Sequence, residues 1–144
     1  MFCYQCEQTA KGLGCDKLGV CGKQPDVSDL QDLLVYALTG LGQAAVAAKA
    51  EGVTVPLETG RFFAKAMFST LTNVNFDAAD FKPLIEQTVA KRTALAAGLK
   101  TALPEGPATF KPAADLAGLI AQGAKHGLKD IPEANDDIRS LSIL

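Results

Sequence analysis

The sequence predicts an all-α protein, a helical bundle preceded by an irregular N-terminal loop that is rich in cysteine. Two observations support this fold class. From Ser28 onward, apolar residues recur at the three- and four-residue spacing of amphipathic helices. All four cysteines, by contrast, lie in a glycine-rich N-terminal stretch without an apolar period. We therefore divide the chain into a loop, residues 1–27, and a helical bundle, residues 28–144, which together form one domain.

The first helix has the clearest pattern. Ser28 and Gln31 have the spacing of a capping box. Asp29 and Asp32 would place negative charge in the first turn, where the helix dipole favours it. The apolar positions that follow share one face and continue to about Gly52; they are Leu30, Leu33, Leu34, Ala37, Leu38, Leu41, Ala45 and Ala48. This pattern predicts one long amphipathic helix.

Three shorter helices follow and complete a bundle of four. Their predicted spans run from Pro56 to the turn at residues 73–75, from about Asp80 to Leu103, and from about Ala113 to Lys125. Pro56 suits a first helical position, and Pro83 should prevent regular hydrogen bonding before about Asp80. Three prolines mark residues 104–112 as a linker.

The C-terminal segment NDDIRSLSIL also has apolar residues at helical spacing and then stops. We interpret it as a helix that is cut off, which predicts that the chain is part of a longer protein. Such a piece would expose apolar surface around Leu141 and Leu144, so we expect it to self-associate.

Charge and composition exclude several classes of function. The 14 basic residues nearly balance the 16 acidic ones and are scattered along the chain, which argues against nucleic-acid binding. The N-terminus lacks the basic stretch and apolar run of a signal peptide, and no window reaches the roughly 18 apolar residues of a membrane span. We therefore expect a cytoplasmic protein without membrane contact, in a reducing compartment.

The four cysteines, Cys3, Cys6, Cys15 and Cys21, follow the spacing CX2CX8CX5C. Four thiolates can hold a zinc ion or an iron–sulfur cluster. Structural zinc sites usually take two CXXC-like pairs, whereas this spacing contains one pair and two separate cysteines, which favours a bulkier cluster. The alternatives that stay open are a zinc-stabilised helical domain with an interaction role, disulfides and free thiols.

Few other residues point to chemistry. His126 is the single histidine and lies near a predicted helix C-terminus, where an exposed imidazolium interacts favourably with the dipole. Lys11, Lys17 and Lys23 near the cysteines are either an ordinary solvated surface or a docking site for an acidic electron donor. Neither a Ser-His-Asp set nor a phosphate-binding glycine loop is found.

Several stretches together resemble a known family. MFCYQCEQTAKGLGC, followed by GVCGK and LQDLLVYALTGL, closely resembles the N-terminus of the hybrid cluster proteins, also called prismane proteins or hydroxylamine reductases. The similarity continues through TLTNVNFD to NDDIRSL, so it spans essentially the whole chain. It implies a helical bundle for this region, in agreement with the periodicity.

The resemblance also implies a cofactor and a role. Cys3, Cys6, Cys15 and Cys21 would bind one [4Fe–4S] cluster, because the short cysteine spacing goes with this variant in the family. That cluster would relay electrons to a hybrid iron–sulfur–oxygen cluster, whose His, Glu and Cys ligands lie further along the longer family members. No catalytic residue is then expected in this chain, and reduction of hydroxylamine or nitric oxide would belong to the parent enzyme. The expected partners are the remainder of that enzyme and a redox donor protein.

Overall fold

Four α-helices form the bundle in the computed structural model, which describes residues 1–3, 5–8, 12, 14–71 and 73–127. In chain order they are α1 (Pro25–Ala50), α2 (Leu57–Ser69), α3 (Ala78–Ala96) and α4 (Leu116–Gly123), with a short 3₁₀ helix (Pro107–Thr109) between α3 and α4. Within these residues the extended pairing is limited to one isolated antiparallel bridge, between Cys3 and Cys15. The predicted all-α class is confirmed.

Helix α1 is the centre of the bundle. It packs most extensively against α3 and also contacts α4 and the 3₁₀ helix, whereas its contact with α2 is smaller. Its buried leucines are Leu30, Leu33, Leu34, Leu38 and Leu41, all positions of the predicted apolar face. Phe81 and Ile85 of α3 and Leu119 of α4 complete the same core. Burial of each such side chain contributes about 1.5–3 kcal/mol, so the core is the main source of the bundle's stability.

The start of α1 differs from the prediction. The helix begins at Pro25, three residues before Ser28, and its N-cap residue Gln24 makes no side-chain capping bond. The predicted capping box is therefore wrong: Ser28 and Gln31 both lie inside the helix and are buried. The reason is that Pro25 occupies the first turn, where its fixed φ and missing N–H suit a helix start.

The acidic residues near this start also have other roles than predicted. Asp26, rather than Asp29, supplies the negative charge of the first turn. The Asp29 carboxylate lies 3.1 Å from the N-terminal ammonium of Met1, so it ties the beginning of the chain to α1. Because both groups are largely buried, this ion pair is screened less than a surface pair.

Helix α3 begins earlier and ends earlier than predicted. Asp77 caps its first turn by accepting a hydrogen bond of 2.9 Å from Ala79 N–H, and the helix tolerates Pro83 in its second turn. The helix stops at Ala96, seven residues before the predicted end at Leu103. Beyond it, the Glu51 carboxylate accepts hydrogen bonds from the backbone N–H groups of Lys100 (2.7 Å) and Thr101 (2.9 Å), which holds this segment in a turn.

The other boundaries agree with the sequence to within a few residues. Pro56 is the N-cap residue of α2 rather than its first residue, and Ser69 ends that helix before the turn in which Asn73 has a φ of 61°. Asp115 caps α4 by accepting a hydrogen bond of 2.8 Å from Gly118 N–H. The predicted C-terminal helix, with Leu141 and Leu144, lies outside the described residues.

The linker between α3 and α4 is held against α1 by a close backbone approach. A β-carbon at Gly40 of α1 would overlap the carbonyl group of Pro107, so only glycine permits this contact. The buried Arg92 of α3 donates to the same Pro107 carbonyl (2.9 Å) and to that of Phe110 (2.7 Å). The 3₁₀ helix is thereby fixed between α1 and α3.

By length and composition, one helix in the described part, α1, is apolar enough to cross a membrane. The central helix of a globular bundle passes the same test, and the leucines of α1 form the core here. The length and composition of α1 are therefore weak evidence for a membrane span.

Candidate metal centre

The four cysteines lie around one small pocket that precedes α1. All four are free thiols; Cys15 is 5% exposed, and the other three are half-buried. The residues that line the pocket are Cys3, Cys6, Gln8, Cys15, Gly19, Val20, Cys21 and Lys23. The loop thus brings together all four of the cysteines singled out in the sequence, although they span 19 positions of chain.

A backbone pairing joins the beginning and the middle of the cysteine loop, which we define in the structure as residues 1–24. Cys3 N–H donates to the Cys15 carbonyl (3.0 Å), and Cys15 N–H donates to the Cys3 carbonyl (2.7 Å). This antiparallel pair places two cysteines side by side that are far apart in sequence. It therefore organises half of the sulfur set before any metal is considered.

Two glycines permit the tight packing of this loop. At Gly14 the φ is +139°, and an added β-carbon would lie 2.8 Å from the ring of Phe2. At Gly19 an added β-carbon would lie 2.9 Å from the Lys23 β-carbon and 3.2 Å from the Cys21 sulfur. The close packing at Gly19 shapes the turn that carries Cys21, and in this turn Gly19 N–H donates to the Lys23 carbonyl at 2.9 Å.

The electrostatics of the pocket are dominated by Lys23. This side chain is only 2% exposed, and its ammonium donates to the amide oxygens of Gln31 (2.6 Å) and Gln5 (3.1 Å). It also lies 3.7 Å from the Cys3 sulfur, within hydrogen-bonding distance of a thiol or thiolate. Lys23 is therefore neither solvated surface nor part of a docking surface, which corrects both interpretations drawn from the sequence.

Carboxylates are absent from the pocket lining. Glu7 and Asp16 are exposed and do not line the pocket, while Asp29 pairs with the N-terminal ammonium. Of the other two lysines considered, Lys17 is exposed and Lys11 lies outside the described residues. The Lys23 ammonium thus lies beside the Cys3 sulfur in a pocket whose described lining includes no carboxylate.

The donor set suits an iron–sulfur cluster. Four thiols, in a described lining without carboxylate or imidazole, form the soft ligand set that iron–sulfur clusters and zinc share. Among the residues that the structure describes, no three His, Cys, Asp or Glu side chains are grouped so that they could hold a single metal ion. The chemistry of the pocket therefore fits the group implied by the sequence resemblance.

Comparison with known proteins identifies the family. The whole chain, residues 1–144, matches the Prismane/CO dehydrogenase family. The chain belongs to this family. It is 86% identical over 141 residues to the hydroxylamine reductase of Solidesulfovibrio magneticus and 58% identical over 146 residues to that of Syntrophobacter fumaroxidans. A hydroxylamine reductase of Methanocella arvoryzae is 54% identical over 147 residues.

These alignments cover nearly all of this chain but only a small part of each relative. Each includes 98% of this prismane-family chain, but only 26% of the Solidesulfovibrio protein and 27% of the other two. The chain therefore spans about a quarter of the length of these relatives. Membership of the prismane family implies iron–sulfur clusters and confirms the resemblance inferred from the cysteine-rich stretch.

Sequence reasoning about this prismane-family chain missed the polar groups beside the thiols. Gln5 donates to the Thr70 carbonyl (3.1 Å) and Gln31 to the Asn75 carbonyl (3.3 Å), so both amide oxygens face Lys23. A signal was available for Gln31. It falls on the apolar stripe of α1, three residues before Leu34, where a polar side chain needs a buried partner.

His126 takes no part in the thiol pocket. It is exposed just after α4, as predicted, and its ring stacks on Tyr36 with a centroid distance of 3.8 Å and an interplanar angle of 14°. Phe110 meets the Tyr36 ring edge-on at 5.6 Å. The single histidine of this family member thus joins an aromatic cluster between α1, the linker and the end of α4.

Proposed function

We propose that this chain is the N-terminal electron-relay domain of a hydroxylamine reductase-like enzyme, and that Cys3, Cys6, Cys15 and Cys21 hold one [4Fe–4S] cluster. The observation that carries the proposal is the convergence of all four free thiols on one pocket, whose described lining includes no carboxylate. Such a cluster supplies one-electron transfer when bound. The substrate chemistry, reduction of hydroxylamine or nitric oxide at a hybrid cluster, belongs to residues beyond this chain.

The chain's own residues perform two tasks in this proposal. The Cys3–Cys15 backbone pair and the close contact at Gly19 fix the positions of the sulfur ligands. Cys15 is buried, whereas the neighbouring Val20 is 61% exposed, so the pocket lies just below the surface. Electrons therefore need to cross only a thin layer of protein between an external donor and the site.

The proposal also includes the partners of the chain and its cellular location. The remainder of the enzyme would receive the electrons, and a redox protein would supply them. Four cysteines that remain free thiols are typical of a reducing compartment, which supports a cytoplasmic location.

The proposal is tested by metal and acid-labile sulfide analysis of the chain after anaerobic reconstitution with iron and sulfide. We expect about four iron and four sulfide per chain and a visible band that bleaches on reduction with dithionite. Reduction should also produce an electron paramagnetic resonance signal of a one-electron-reduced cluster. Cys15→Ser should lose most of the iron.

Asp16→Ser provides the control, since it introduces the same residue beside Cys15 without removing a sulfur atom, and Asp16 is exposed. This variant should retain the iron content of the parent. Stoichiometric zinc without sulfide would instead indicate a zinc-stabilised helical domain and refute electron relay.

A further inference from the structure

Lys23 is an unusual residue to find buried. Lysine is almost never fully buried unless it is paired with an opposite charge, because removing an ammonium from water is costly. Here the side chain is 2% exposed, and none of the ion pairs in the described part includes it. Its nearest polar groups are two neutral amide oxygens and the Cys3 sulfur. Of the three groups that the structure places against its ammonium, the Cys3 sulfur is the one that can carry a negative charge.

The surroundings of Lys23 fix its position without neutralising it. Its three ammonium hydrogens match three acceptors, at 2.6 Å (Gln31), 3.1 Å (Gln5) and 3.7 Å (Cys3). Both glutamines are themselves held by backbone carbonyls, those of Asn75 and Thr70. The lysine is thus anchored to α1 and to the segment after α2, and it does not depend on the thiols alone for its orientation.

We propose that Lys23 is a positioning residue that raises the reduction potential of the cluster by placing a fixed positive charge beside the Cys3 ligand. This inference rests on the proposed function. One electron from a reductant adds one negative charge to the site and transfers no atom. A cation held at the ligand sulfur stabilises the more negative, reduced state, and burial strengthens the effect because water screens it less.

The test is a redox titration of the reconstituted chain, followed by electron paramagnetic resonance. Lys23→Met removes the charge at nearly constant volume, and we expect its midpoint potential to fall by at least ~59 mV, a tenfold change in the ratio of reduced to oxidised cluster at a given potential. Lys17→Met is the matched control, because Lys17 lies on the same loop but is exposed. Its potential should stay close to that of the parent.

A second variant keeps the test decisive if Lys23→Met fails to bind iron. Gln31→Glu leaves the lysine in place but adds a carboxylate 2.6 Å from its ammonium, which should cancel much of its field and also lower the potential. The proposal is overturned if a variant that binds iron, Lys23→Met or failing that Gln31→Glu, has an unchanged potential. Failure of the proposed function looks different, since the parent chain itself would then contain no iron and sulfide.

Discussion

The cysteine loop and the helical bundle are held together by different forces. The bundle buries a continuous set of leucines from α1 against Phe81, Ile85 and Leu119. The loop, residues 1–24, buries few large apolar side chains, and Leu18 and Val20 are at least half exposed. Among its described residues, the contacts that order it are mostly polar: the Cys3–Cys15 backbone pair, a short hydrogen-bonded turn at Gly19, the contacts of Lys23 and the ion pair between the N-terminus and Asp29.

Under the proposed function, this difference predicts which part of the molecule depends on the cluster. Apolar burial stabilises the bundle whether or not the thiols are occupied. Ordering the loop costs backbone entropy of about 1–2 kcal/mol per residue, and its described part buries few large apolar side chains in return. Ligation of the proposed cluster would offset part of this cost, as in other small metal-bound segments.

The effect that separates the two regions most directly is expected from removing the metal. We predict that hydrogen exchange of the loop amides, including those of Cys3, Cys15 and Gly19, becomes at least ~tenfold faster in the stripped chain, since local opening then costs less. The interior amides of α1 should exchange at the same rate in both forms. Exchange mass spectrometry of the loaded and stripped protein measures both regions at once.

Cys15→Ser sharpens this comparison, because it should resemble the stripped chain even after reconstitution. If α1 loses protection to the same extent as the loop, the two regions form one cooperative unit and the distinction between them is wrong.

An effect of several kcal/mol is expected from a cavity in the bundle. Phe81 is 0% exposed, so Phe81→Ala should lower the free energy of unfolding by about 3–5 kcal/mol. Urea denaturation followed by the helical circular dichroism signal measures this loss. Iron content at low urea should be unchanged, since the loop does not rely on this side chain.

Phe68→Ala is the control for the same loss of a ring. Phe68 lies on α2 and is 61% exposed, so its removal should change the unfolding free energy by no more than ~0.5 kcal/mol. Equal losses for both variants would show that burial does not set the bundle's stability.

The sequence predicted the bundle well because one physical pattern repeats along it. The spacing of apolar residues in α1 follows from the period of the helix, and all eight predicted apolar positions from Leu30 to Ala48 lie within the observed helix. Helix ends were predicted less well, since they depend on individual contacts. The early end of α3 reflects the Glu51 carboxylate, which is about 50 residues away in sequence.

For the candidate site, the sequence predicted which residues are the candidate ligands but not how the surrounding loop is arranged. Cysteine spacing pointed to a metal, but the pairing of Cys3 with Cys15 and the burial of Lys23 depend on how the loop folds back on itself. Composition suggests that a lysine in a polar, glycine-rich segment is solvated. Here Gln31, which is buried on α1, and Gln5, an exposed residue of the loop, both accept hydrogen bonds from Lys23, and these bonds offset the cost of burying it.

The smallest expected effect concerns the contact that ends α3. Hydrogen bonds from the backbone N–H groups of Lys100 and Thr101 lower the pKa of Glu51 from its usual value of 4.5. A carboxyl group with a lower pKa in the folded state adds stability above its unfolded pKa and loses it as the pH falls through the folded pKa. Glu51→Gln should therefore be less stable than the parent at neutral pH, and the difference should shrink as the pH falls below 4.5.

Urea midpoints measured from neutral to acidic pH follow this difference directly. Glu105→Gln is the matched control: it removes the same charge from an exposed side chain for which the described part of the chain shows no hydrogen bond, so it reports the effect of net charge alone. A stability difference for Glu51→Gln that stays constant through the acidic range would mean that the two backbone hydrogen bonds do not favour the ionised carboxylate. The end of α3 would then be set by its own sequence around Gly98, and the long-range contact from Glu51 would follow from that turn rather than cause it.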